Sequence, residues 1–501
     1  MRARAALFTV LSLSAALSDS KAVADVMISN NATQNMACSS GICAPTAANA
    51  VLNVTDLKIL VDSGDVTVTT TGAGVQANEI VIAAPLGWAS AATLSLDAFT
   101  SIAIEKLLYA KGRGGLTLTT NDGGAGGVLS FAGKGRARFA KLSSRVVINH
   151  TFYKLVNNFR SLIKAVRGNP AGFYGLADTI DASAKLYGGA PPMKMLAGTV
   201  EGLGNTISRF TIRCAHSNCH PALFYQVAAS GAVSNLRLAE ENVVVSHNRS
   251  VAAGLAYTNY GVLSGDSIEG TFDASRCEVE CAASGMVVNN DGSIIHSSSD
   301  VTITAAEGAG LVFENNSAGT IEMSHANGTI AASGGAGGLV YLNYGKIDES
   351  YADTVVGTGS TGTSGGLVGN DDEGYGITDS YAVGSVAGGG NEARIGGLVG
   401  SAGPNTKTSY SASAVSGGAN SWVGGFLGFA PYSDSFSDCY WDTTASGTEQ
   451  GDGNGEVSGL TGLTTQQLTA ALPAGFDPAI WTEASNINNG LPYLINNPPP
   501  K

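Results

Sequence analysis

Apolar and polar residues alternate along several short stretches, among them Asp65-Val66-Thr67-Val68-Thr69-Thr70, Glu79-Ile80-Val81-Ile82 and Leu116-Thr117-Leu118-Thr119. Period two over such lengths predicts half-buried β-strands. Farther along, the pattern becomes a repeat. A glycine followed by two apolar residues recurs at Gly254, Gly285, Gly310, Gly338, Gly366, Gly397 and Gly425, at separations of 31, 25, 28, 28, 31 and 28 residues. Five residues past the glycine stand Asn259, Asn290, Asn315 and Asn343, then Asp371, before Ala402 and Ala430 close the series. Identical amides bonded one to the next are what a parallel coil offers at a repeated corner. A glycine and then an isoleucine follow the corners at Asn290, Asn315, Asn343 and Asp371, as in Gly292-Ser293-Ile294 and Gly319-Thr320-Ile321, so these copies spell strand, turn and strand.

A unit of this length, rich in Gly and β-branched residues, cannot bury its own apolar face, so successive copies must stack. An all-β parallel β-helix follows. If each copy is one coil, seven copies give a rod of roughly 34 Å. A β-propeller would need about 40 to 50 residues per blade. One helix interrupts the strands, where Phe159, Leu162, Ile163 and Val166 follow the Asn157-Asn158 cap and stop before Pro170. It is expected across an end or side of the rod. Near the C-terminus Thr464-Thr465-Gln466-Gln467 forms a capping box that opens a short helix through Leu468 and Leu472. The tail with Trp481 and Tyr493 is expected to cover the open terminal rung.

Composition narrows the class. Gly, at 67 of 501 residues, is about twice average usage, and charged residues at 13% are about half of it. No Gly-X-Y triplet runs, which excludes collagen, and 44% hydrophobic content excludes disorder. A net charge of -13 without a Lys/Arg cluster excludes nucleic acid as a partner. Residues 1–24 read as a signal peptide: Arg2 and Arg4, an apolar stretch from Ala5 to Leu17, and the Ala22-Val23-Ala24 cleavage site. No later stretch approaches the roughly 20 apolar residues of a membrane span.

Cys38 and Cys43, Cys214 and Cys219, and Cys277 and Cys281 form close pairs, which leaves Cys439 either free or paired between chains. In an exported chain the pairs read as disulfides closing small loops. The run from Cys214 to His220 packs Cys214, His216, Cys219 and His220 together. A zinc reading competes there with the disulfide-stapled loop, although tetrahedral sites take ligands from two separated pairs.

Gly365-Gly366-Leu367-Val368-Gly369 and Gly396-Gly397-Leu398-Val399-Gly400 resemble the GLUG repeat of bacterial filamentous-haemagglutinin-like surface proteins, as do Ser350-Tyr351-Ala352 and Ser380-Tyr381-Ala382. The segments Pro45 to Asn53, Gly114 to Gly124, Glu201 to Ile207, Tyr440-Trp441-Asp442 and Leu491-Pro492-Tyr493-Leu494 are similar to the same group. The resemblance covers nearly the whole mature chain. It implies a right-handed parallel β-helix, secreted or exposed on the bacterial cell surface, acting in adhesion. It also implies a possible outer-membrane two-partner secretion transporter and an extracellular glycan or host-cell ligand as partners. It supplies no catalytic, cofactor or metal residues. The expected organisation is a signal peptide (1–24), an N-terminal haemagglutinin-like β-helical region (25–148), a helix-containing insertion or connector (149–199), a β-helix with GLUG-type repeats (200–441) and a C-terminal capping segment (442–501).

The alternative is a β-helical polysaccharide lyase or glycoside hydrolase, which needs paired carboxylates, or a base with a cation. Asp371-Asp372-Glu373 is the densest acidic group, but it occupies the corner that carries Asn elsewhere and reads as a solvated turn. Asp178 and Asp181 lie in a loop after the helix. The six histidines, His150, His216, His220, His247, His296 and His325, form no HExxH motif, since Ser217 follows His216 where that motif has Glu. No catalysis, metal or cofactor is therefore expected. Tyr351, Tyr381 and Tyr410 either stack on sugars or form a ladder among themselves.

Overall fold

The computed structural model describes residues 25–500 except 215, 278, 360–361, 373–374, 402–404, 431–435 and 456. The proposed signal segment, Glu373 and Ala402 lie outside the described residues.

The repeat is one coil per copy. A representative coil runs through strands Ala336–Gly337, Val340–Asn343, Lys346–Asp348 and Tyr351–Thr358, each paired in parallel with its counterpart above and below. Val312, Val340, Val368, Val399 and Leu427 stand in one register although their sequence spacing varies. The extra residues go into the turn after the long strand, as between Gly388 and Arg394. The sheet that contains Val340–Asn343 has nine strands, a span of roughly 38 Å at the ~4.8 Å strand spacing.

Packing explains each sequence column. Leu255, Met286, Leu311, Leu339, Leu367, Leu398 and Phe426 point inward and are wholly buried, as are the residues that follow them. Each contributes ~2 kcal/mol of apolar burial, which no single coil could secure alone. The glycine before them is required by backbone contact between rungs. An added Cβ at Gly338 would stand 1.8 Å from the Gly366 carbonyl oxygen, and one at Gly310 would stand 2.0 Å from that of Gly338.

The asparagine corner forms the expected ladder. Asn259 Nδ2 donates to Asn290 Oδ1 at 2.8 Å, Asn290 to Asn315 at 2.8 Å, Asn315 to Asn343 at 2.8 Å, and Asn343 to Asp371 Oδ1 at 2.7 Å. The solvated turn expected at Asp371 is corrected here: the residue is 2% exposed and terminates this buried ladder. A second ladder explains the serine of the Ser-Tyr-Ala motif. The backbone N–H groups of Ser297, Ser324, Ser350 and Ser380 each donate to the hydroxyl of the serine one rung on, ending at Ser409. Asp266 starts the series by donating its N–H to Ser297 Oγ.

The N-terminal strands are further parallel coils: Leu94 pairs with Val66 on one side and Leu116 on the other, and Leu116 with Val146. Their apolar interior is separate from that of the main rod; the chain first passes from one to the other at Leu155 and Val156, and Ala177 and Leu203 return to the N-terminal interior. Hydrogen bonds join the two, including Ala137 N–H to the Leu203 carbonyl and Asn205 Nδ2 to the carbonyls of Ala137 and Leu176. Helix α1 (Val54–Ser63), capped by Asn53, was not legible as a helix, because Leu57 and Val61 are its only buried anchors. Helix α2 (Phe159–Gly168) lies where the sequence placed it. Asn158 caps it, and Phe159, Leu162 and Val166 pack into the main core.

The C-terminal segment departs from expectation. Leu460–Leu463 adds a strand to the long sheet, and the capping box at Thr464 is present, but the helix it opens is only Thr465–Leu468. The tail then turns back along the flank of the rod. Trp481 packs 5.9 Å from both Tyr381 and Tyr410, and Asn497 Nδ2 reaches the carbonyls of Ser324 and Glu349 several rungs back.

Cys38–Cys43, Cys214–Cys219 and Cys277–Cys281 are disulfides. Cys439 is a buried free thiol whose burial pushes it up to about 12. Thiol titration of the purified chain should therefore count none in the native state and one after unfolding in denaturant. More than one would contradict the pairing.

Candidate functional site

The nine-stranded sheet presents the most distinctive outer face. In strands Phe224–Val227, Ala256–Asn259, Val312–Asn315 and Val340–Asn343 the first and last residues are buried and the middle two face outward. A four-residue strand between two corners forces this, because both ends must turn into the core. The middle positions make two columns. One carries Tyr225, Tyr257, Val288, Phe313 and Tyr341. The other, in register beside it, carries Gln226, Thr258, Asn289, Glu314, Leu342 and Asn370.

The rings meet one another across rungs. Tyr225 and Tyr257 are stacked at 5.4 Å, His220 lies 4.1 Å from Tyr257, and Phe313 and Tyr341 are 5.3 Å apart. Tyr225 remains 41% exposed. Tyr341 Oη donates to Glu307 Oε1 at 3.3 Å, and burial pushes the Glu307 carboxyl above its usual range. Burial likewise raises Glu314, with the nearby Asp291 carboxylate adding to the effect. Rings that offer an apolar face next to a row of amide, hydroxyl and carboxyl groups match the two-sided chemistry of a sugar: C–H surfaces stack, and hydroxyls exchange hydrogen bonds.

A second concavity, of about 800 Å³, lies between the long sheet and the returning tail. Asp300, Asn327 and Asp353 project into it from successive rungs in register. At the ~4.8 Å strand spacing, the backbones of Asp300 and Asp353 stand roughly 9.6 Å apart. Desolvation raises the Asp353 carboxyl. Asp442 also lines this groove, but it is engaged: it caps helix α3 (Thr443–Ser446) and accepts from Thr465 Oγ1 at 2.7 Å.

The residues singled out from sequence scatter. Asp178 pairs with Arg138 at 2.7 Å and Asp181 with Arg209, and neither belongs to the nine-stranded sheet or lines the groove beneath the tail. Tyr351, Tyr381 and Tyr410 stack on one another at 4.8 and 5.1 Å and are wholly buried beneath the tail, so they offer no surface to a sugar. His325 extends this stack and bonds Asn497 through Nδ1. Cys214 and Cys219 are joined to each other and offer no thiolates to a metal. The ring-bearing column was missed because its residues vary in type. Its signal was positional, two residues before each asparagine of the ladder, as Tyr257, Val288, Phe313 and Tyr341 are.

No family profile matches the chain, and no curated protein matches it in sequence. Among solved structures, a candidate immunoglobulin A1 protease from Bacteroides ovatus is similar at 15% identity with a TM-score of 0.33, covering 69% of this chain and 93% of that one. A structure named IgA1 protease is similar at 16% identity with a TM-score of 0.36, covering 61% of this chain and 23% of that one. Both names are those of enzymes, and this finding corrects the expectation of a chain without catalysis. At such scores nothing about substrate or mechanism passes to this protein. Among the described residues no helix is long and apolar enough to cross a membrane.

Proposed function

We propose that this chain is a secreted, adhesin-like β-helical protein that holds glycans on the ring-bearing face of its nine-stranded sheet. The observation that carries the reading is the outward pairing of Tyr225, Tyr257, Phe313 and Tyr341 with the polar column beside them. Repetition of rings along the rungs, interrupted at Val288, suits a polymer, since several weak contacts along one chain sum to avidity. Three disulfides suit an oxidising compartment. The resemblance to GLUG-bearing surface proteins points the same way and adds export by a partner transporter to the proposal.

A second reading has its own support. Asp353, raised by desolvation, and Asp300, two rungs away in the same register, bring two carboxyl groups to one groove, as an acid and base of a glycoside hydrolase require. One experiment separates the two. Residues 25–501 are incubated with acidic and neutral polysaccharides, and both retention and new reducing ends are recorded. Retention is expected. New ends that vanish in Asp353→Asn while retention persists would establish the hydrolase, and absence of retention would overturn the binding reading.

A further inference from the structure

Beside the first rings of the glycan face lies a separate cavity of about 340 Å³. The disulfide-closed loop forms one wall, with His216, Asn218 and His220, and the segment Ala190-Pro191 forms another. Tyr225 and Lys194 complete it. Lys194 follows Met193, whose register partner is Phe224, so its side chain leaves the strand one rung before Tyr225, and both residues line the cavity. Lys194 is solvent-exposed. No carboxylate is among the described residues that line this cavity.

That absence matters in a chain of net charge -13. Surface acids elsewhere repel an anionic polymer at long range, but salt screens them over about 8 Å at physiological ionic strength. A contact made inside the cavity is governed by Lys194. We propose that the cavity binds a carboxylated sugar residue, with the pyranose ring on Tyr225 and its carboxylate paired with Lys194 Nζ. Asn218 and the two imidazoles supply hydrogen bonds to ring hydroxyls. The ring column continues from Tyr225 to Tyr257, so a bound glycan passes from this end pocket onto the sheet face. The inference rests on the glycan-binding reading and names the sugar class that it selects.

The probes are a hexasaccharide of galacturonic acid and its methyl ester, titrated calorimetrically against residues 25–501 at 0.15 M salt. The acid form is expected to bind at least tenfold more tightly. Lys194→Gln, a surface change checked for an unaltered melting temperature, should bring the two within twofold of each other, chiefly by weakening the acid form. Tyr225→Ala should weaken both. Equal binding of acid and ester, or a preference that survives Lys194→Gln, overturns the proposal. If neither hexasaccharide binds while neutral polysaccharides are retained, the pocket assignment fails and the sheet-face reading stands. If no glycan of any kind is retained, both fail together.

Discussion

Glu241→Gln is expected to stabilise the rod at pH 8 and to flatten the dependence of its melting temperature on pH. Glu241 points inward from the strand Arg237–Val245 just after a bulge, and it is 2% exposed. Neither carboxylate oxygen has a hydrogen-bond partner among the described residues. Burial therefore holds its carboxyl well above the usual range. Glu201 is pushed up to about 8 by burial, against opposing hydrogen bonds from the Leu203 N–H and Asn235. Asp266 is raised as well, chiefly by burial and secondarily by Glu201. In each case the folded state keeps a proton that the unfolded chain releases near its ordinary value of about 4. Stability is then greatest below that value and falls as pH rises toward the folded value. Each such group costs about 1.4 kcal/mol per pH unit while the folded carboxyl stays protonated. The carboxamide introduced by Glu241→Gln has no proton to lose, so this variant should gain stability at pH 8 and little at pH 4. Thermal melts of both proteins from pH 4 to 8 check this, and parallel curves would contradict it.

Asn315→Ala should be among the most damaging single substitutions. Asn315 sits at the middle of the amide ladder, accepting from Asn290 Nδ2 and donating to Asn343 Oδ1, with no exposed surface. Alanine strands one donor and one acceptor away from water, each at ~1–3 kcal/mol, and leaves a small void between rungs. A loss of about 3–5 kcal/mol is expected in denaturant unfolding. Asn315→Asp should fall in the same range, because it would set a carboxylate against Asn343 Oδ1 where a donor is needed. A loss below about 1 kcal/mol in either variant would mean that the ladder is a consequence of stacking and contributes little to it.

How much of this was legible follows from which features repeat. The glycine column, the two apolar columns and the asparagine ladder each depend on contact with the identical position one rung away, so periodicity alone exposed them. The serine of Ser-Tyr-Ala was visible as a motif, but its work, receiving the N–H of the preceding rung's serine, needed the register. Features made by distant or unlike residues were not legible. The tail that covers Tyr351, Tyr381 and Tyr410 comes from residues far along the chain from all three, as with Tyr410 and Trp481. The ring-bearing face mixes Tyr, Val and Phe, which share an outward position and no common spelling. Helix α1 has too short an apolar stripe to stand out among strands.

The central claim is that the outward rings of the nine-stranded sheet hold a glycan. Its most direct test is the affinity of Tyr257→Ala/Phe313→Ala, relative to the unaltered chain, for whichever polysaccharide that chain retains. Both side chains face outward beside intact core columns, so the double variant should keep its circular dichroism and melting transition. Loss of two stacking anchors should weaken binding by about 30-fold or more. Undiminished affinity in a folded variant would place the glycan elsewhere and contradict the account.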